Sequence, residues 1–107
     1  MFLYLLNSPV LTGYGQWQFT GPLPLAQARD LVADGQAVSA IGHAATAQHL
    51  ARLLGCAVPS RRQRAELQPG DRALVYRLLQ RLPEGQVLDA AALADLLAEF
   101  GLLVRLA

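Results

Sequence analysis

The chain has 107 residues, 53% of them apolar and 16% charged, with a formal net charge of +1. That is room for one domain around one core, and the single cysteine, Cys56, rules out a disulfide framework. No apolar run is long enough to span a bilayer, and the amino terminus lacks the basic and long apolar regions of a signal peptide, so a cytoplasmic protein with no membrane partner is expected.

In chain order, Phe2 to Leu6 is a nearly continuous apolar run, the pattern of a central strand buried on both faces, and Asn7-Ser8-Pro9 ends it. Gln16 to Thr20 alternates polar and apolar residues and predicts a half-buried strand, broken by Gly21-Pro22. Pro24 suits the first turn of a helix running to about Asp34, with Leu25, Ala28, Leu31 and Val32 as its inner face and Gly35 closing it. Ala37 to Ile41 predicts a short buried strand. Gly42-His43 turns it into a helix whose apolar face is Ala47, Leu50, Ala51 and Leu54, and Gly55 stops that helix.

After an exposed Pro59-Ser60-Arg61-Arg62 connection, a short strand is predicted around Arg64 to Leu67, then a turn at Gln68-Pro69-Gly70-Asp71. Arg72 to Leu79 reads as a strand with Leu74, Tyr76 and Leu78 on one face. Arg81 to Gly85 reads as a loop. Asp89 is a candidate N-cap for a last helix with Leu93, Leu96, Leu97 and Phe100 inward, ended by Gly101, and Leu102 to Leu106 reads as a final strand. The order predicts a single α/β domain over residues 1–107, a mixed β-sheet flanked by helices.

Charge is unevenly placed. All nine basic residues are arginine, and six of them (Arg61, Arg62, Arg64, Arg72, Arg77, Arg81) fall between positions 61 and 81, against only Glu66 and Asp71 there. A local basic segment on a nearly neutral chain predicts a defined anionic ligand rather than a long nucleic acid. Gly42-His43, where a strand ends and a helix begins, is the natural receiver: helix-terminal N–H groups and the positive end of the helix dipole converge there.

Taken singly, each of these residues has a plain structural reading. His43 could be a solvated cap, Arg81 and Glu84 a surface ion pair of little worth, and Asn7 a strand-end cap. His49 falls some 240° around the helix from His43, using ~100° per residue, which predicts a structural or surface role. Tyr14 and Trp17 could stack on a base, with packing the favoured role for Trp17. His43, His49 and Cys56 do not form a usual zinc set, so no metal and no cofactor is expected.

Three separated motifs nevertheless occur in one order: Leu5-Leu6-Asn7, Ser39-Ala40-Ile41-Gly42-His43-Ala44-Ala45-Thr46, and Arg81-Leu82-Pro83-Glu84-Gly85. Together they resemble the viral type III anti-CRISPR ring nuclease family and its cellular relatives, from Tyr4 to Leu106. The resemblance implies a homodimer that binds cyclic tetra-adenylate, a signalling molecule of type III CRISPR immunity. It implies metal-free cleavage to linear di-adenylates ending in a 2′,3′-cyclic phosphate. By the matched motifs His43 would be the general acid, with Arg81 and Glu84 assisting. Asn7, Ser8, Gly42 and one of Arg61 and Arg62 would bind ligand; the register of a ligand-contacting serine in some members gives Val10 here, with Ser8 and Thr12 beside it. A module that binds the ring without cutting it is the alternative.

Overall fold

The structure, a computed structural model, describes residues 2–79 and 98–107. Its elements are β1 (Leu3–Leu6), β2 (Trp17–Leu23), α1 (Leu25–Val32), β3 (Val38–Ser39), α2 (Ala44–Leu54), β4 (Arg72–Leu78) and β5 (Ala98–Arg105). The strands form one five-stranded sheet in the order β2-β5-β4-β1-β3. β1 runs parallel to both neighbours, pairing Tyr4 with Val38 and Leu6 with Val75, whereas β5 is antiparallel to β4 and to β2. It is a mixed α/β fold.

Strand alternation sorts the side chains onto two faces. Leu3, Leu5, Leu74, Tyr76 and Phe100 point to the face that α1 and α2 cover with Ala28, Val32, Ala47, Leu50 and Leu54. Leu6, Ala73, Val75 and Leu103 point the other way, where Leu67 and Ala65 from the segment before β4 cover them. Both described helices thus lie on one face rather than flanking the sheet. Burial on both faces is why β1 reads as an unbroken apolar run.

The helix faces read from the sequence pack as expected. Gly35 and Gly55 end the two helices with positive φ, and the Gly55 N–H donates to the Ala51 carbonyl at 2.9 Å. α1 stops at Val32, slightly short of Asp34. Cys56 is half-buried, and burial raises its thiol pKa, in keeping with an inert thiol.

Four expectations need correction. β2 does not break at Gly21-Pro22 but continues to Leu23, and its pairing with β5 shifts register between Thr20 and Leu23. Proline is tolerated there because β2 is an edge strand of the described sheet, so the missing N–H interrupts no inner ladder. Residues 64–67 form no strand; Leu67 donates its N–H to the Thr12 hydroxyl at 3.0 Å instead of to a neighbouring strand. Phe100 and Gly101 belong to β5 rather than to the end of a helix. Phe100 pairs with Tyr76 and Gly101 with Val75, and the Phe19 ring covers Gly101 so closely that a Cβ there would lie 2.5 Å from it. The final strand therefore begins at Ala98, not Leu102. The rest of the predicted last helix, from Asp89 through Leu97, lies outside the described residues.

Candidate functional site

β3 lies beside β1, and the chain then crosses over β1 through α2 to reach β4 on its other side. Ligands of open α/β sheets gather at the carboxyl ends of the strands where the order reverses in this way. Here that edge is Leu6-Asn7 at the end of β1 and Ser39 to His43 at the end of β3.

At that edge His43 is the N-cap of α2. Its backbone is extended (φ −106°, ψ 124°), and its carbonyl accepts the first helical bond, from the Ala47 N–H at 3.0 Å. Its side chain makes no capping bond, and no acidic residue occupies the first turn. The imidazole is exposed, and among the described residues the helix-terminal N–H groups are left to an outside acceptor.

The arginine segment returns to this corner. The Arg61 N–H donates to the Ile41 carbonyl at 2.8 Å, and Arg62 crosses directly over Gly42. A Cβ on residue 42 would lie 3.0 Å from Arg62 Cγ, so glycine there lets the arginine stem lie against the backbone. Arg61 and Arg62 are otherwise exposed. Gly42, His43 and the arginine pair, far apart in sequence, form one corner. It presents donors and positive charge, the complement of a phosphate.

Beside it a cleft of about 330 Å³ is lined by Asn7, Ser8, Val10 and Thr12 on one side and by Ala40, Gln63, Arg64 and Ala65 on the other. Asn7 and Ser8 thus share an edge with the corner. Gln63 was not foreseen as a lining residue, since nothing in an Arg-Arg-Gln-Arg run distinguishes the residue that turns inward. Arg81 and Glu84 lie outside the described residues. Tyr14 is fully exposed, whereas Trp17 is half-buried, packs under the Arg105 guanidinium and donates its indole N–H to the Gly13 carbonyl.

His49 belongs elsewhere. It is buried, edge-on to Tyr76 with ring centroids 5.8 Å apart, in a separate hollow that Leu23, Leu53, Glu99 and Phe100 help to line. Burial, and then the Arg52 charge, lower its pKa. Folding therefore favours the neutral ring. The stability this contributes is present above the unfolded histidine value of about 6.5 and is lost as pH falls from there through the lowered folded value. Thermal melts at about pH 7.5 and pH 5 should show a smaller acid-induced drop for His49→Gln than for the wild type. An equal drop would assign the acid sensitivity to other groups.

With this geometry in view, comparison with known proteins places the chain. A family model described as STIV B116-like matches residues 3–102. The chain belongs to the STIV B116-like family. Uncharacterized protein 26 of Sulfolobus islandicus filamentous virus is 34% identical over 89 residues, covering 80% of this chain and 75% of that protein. Uncharacterized protein YddF of Bacillus subtilis is 32% identical over 108 residues, covering 99% of each. Uncharacterized protein ORF117 of Acidianus two-tailed virus is 51% identical over 55 residues, 51% of this chain and 47% of that protein, so the match spans about half of that relative's length. The solved structure of B116 from Sulfolobus turreted icosahedral virus superposes with a TM-score of 0.73 at 23% identity, covering 98% of this chain and all of that one, and carries the fold. Relatives of this chain thus occur in viruses and in Bacillus subtilis. Among the described residues no helix is long and apolar enough to cross a membrane.

Proposed function

We propose that this B116-like protein is a metal-independent ring nuclease. It would open cyclic tetra-adenylate into linear di-adenylates ending in a 2′,3′-cyclic phosphate and so switch off type III CRISPR signalling. The observation that supports this most is the Arg62 stem lying across Gly42 beside the exposed His43, a phosphate seat with a proton donor at its rim.

In this reaction a ribose 2′-hydroxyl passes its proton to a base, a role open to Glu84 by motif, as its oxygen attacks the neighbouring phosphorus and the P–O5′ bond breaks. The nucleophile is the substrate's own hydroxyl, and no water has to be activated. The hard step is departure of the 5′-oxygen, which needs a proton. Giving it is the role proposed for the His43 imidazole, as general acid. The N–H groups at the start of α2 and the Arg61-Arg62 pair would hold the phosphate and offset charge that grows on it in the transition state. Arg81 and Glu84 are assigned by motif as helpers in the same step. Asn7 and Ser8 would contact the ring from the β1 side.

The ring can adopt two-fold symmetry, so a homodimer with its axis through the ligand would present two such corners to opposite phosphates and release two equal halves. The deciding experiment incubates labelled cyclic tetra-adenylate with the protein in excess EDTA and separates the products. Di-adenylate with a cyclic phosphate end is expected at full rate. Intact ring that co-sediments with the protein would replace the enzyme by a sequestering module. Activity lost to EDTA and restored by Mg²⁺ or Mn²⁺ would replace the mechanism by metal-assisted hydrolysis.

A further inference from the structure

Residues 59–63 have no regular secondary structure, yet they are fastened to the end of β3 at every second position. The Ser39 hydroxyl, in a residue only 3% exposed, donates to the Pro59 carbonyl at 2.7 Å and accepts from the Ile41 N–H at 3.3 Å. The Arg61 N–H donates to the Ile41 carbonyl at 2.8 Å, and the Gln63 side-chain amide donates to the Ser39 carbonyl. Residues 59, 61 and 63 therefore face β3, and Arg62, between two anchored neighbours, has its stem pressed onto Gly42.

From this we propose that Ser39 and Gln63 are positioning residues that hold Arg62 over the Gly42-His43 corner ready for a ligand phosphate, an inference that rests on the ring-nuclease reading for the identity of that ligand. The physical reason is entropic. A free arginine side chain must be immobilised when it binds an anion, and pre-ordering its backbone and stem removes part of that cost from the binding step. Arg64, one residue beyond the last anchor, is exposed and among the described residues pairs with the exposed Glu66 across 3.3 Å, a contact with little power to order anything.

Gln63→Met tests the proposal. It keeps the length and neutrality of the side chain, removes its donors, and changes an exposed residue, so the fold is not at stake. The first readout needs no ligand: ¹⁵N relaxation at the Arg62 Nε–H should report a more mobile side chain in Gln63→Met than in the wild type. The second is binding and turnover of cyclic tetra-adenylate. Gln63→Met should raise KM about 2- to 12-fold, the ordering cost of one long side chain, and change kcat less. In the Arg62→Ala background the same substitution should have no further effect, because it acts through Arg62. Ser39→Ala should move KM in the same direction, with a lower melting temperature as well, since it also removes the acceptor of the buried Ile41 N–H. An Arg62 Nε as ordered in Gln63→Met as in the wild type would overturn the clamp whatever the ligand is. A mobile Arg62 in the variant, in a protein whose wild type neither binds nor cuts the ring, would sustain the clamp and reject the ring-nuclease reading. Equal effects of Gln63→Met with and without Arg62 would reject action through Arg62.

Discussion

His43→Ala is expected to slow cleavage of cyclic tetra-adenylate by roughly 10²–10⁴-fold, the usual range for loss of a general acid, while ring affinity stays within a few-fold of wild type. Affinity is preserved because the proposed phosphate donors are backbone N–H groups of α2 and the Arg61-Arg62 pair, none of which is the imidazole. His43 makes no capping bond and is exposed, so its removal should also leave the melting temperature nearly unchanged. Single-turnover rates and equilibrium binding, measured separately, check both halves. A variant that cuts within a few-fold of wild type would remove His43 from the chemistry. One that loses binding and rate together would make it a ligand-holding residue instead.

The second large effect falls on the residue two positions earlier. Ile41 is completely buried in the cluster that joins α2 to the sheet, although it sits inside the same short motif as Gly42 and His43. Ile41→Ala should destabilise the fold by about 2–5 kcal/mol through lost burial and a residual cavity. Urea denaturation should show a lower midpoint with an unchanged slope. At temperatures where the variant is still folded, its activity should be close to wild type, which separates the motif into a residue that builds the corner and residues that use it. A destabilisation of less than about 1 kcal/mol would mean that the surrounding leucines collapse into the space.

The sequence was most readable where one physical requirement dominates. The apolar run of β1 announces burial on both faces, and the spacing of Ala47, Leu50, Ala51 and Leu54 announces the inner side of α2. The corner at Gly42-His43 could be found because a strand-like run changes period to a helical one there. Two neighbouring requirements can also conflict. Phe100 continues the helical spacing of Leu93, Leu96 and Leu97, but pairing with Tyr76 and Leu23 across β4 and β2 takes it into a strand. Gly21-Pro22 looks like a break, yet an edge strand passes through it with shifted register. The site was legible as residue types but not as a surface. His43 and the arginines could be named, whereas the turning of Gln63 toward Ser39 depends on a strip of chain with no periodicity. No pattern marks such a strip.

The parallel pairing of β1 has a kinetic consequence. Leu3 must find Arg72, and Tyr4 must find Val38, before the edge that carries the corner exists. Both contacts close long loops whose entropy is spent before any burial repays it, so the contact order is high for a domain of this size. The helices can flicker into place early, but a chain holding only helices and the β4–β5 pairing lacks Asn7 and Ser8 beside the corner. The complete edge, corner and Asn7-Ser8 together, therefore exists only once β1 has docked. On a refolding time course, affinity for an anionic ligand should appear with the last and slowest phase, later than far-UV helicity. A pulse of ligand added before that phase should be bound no faster than the sheet closes.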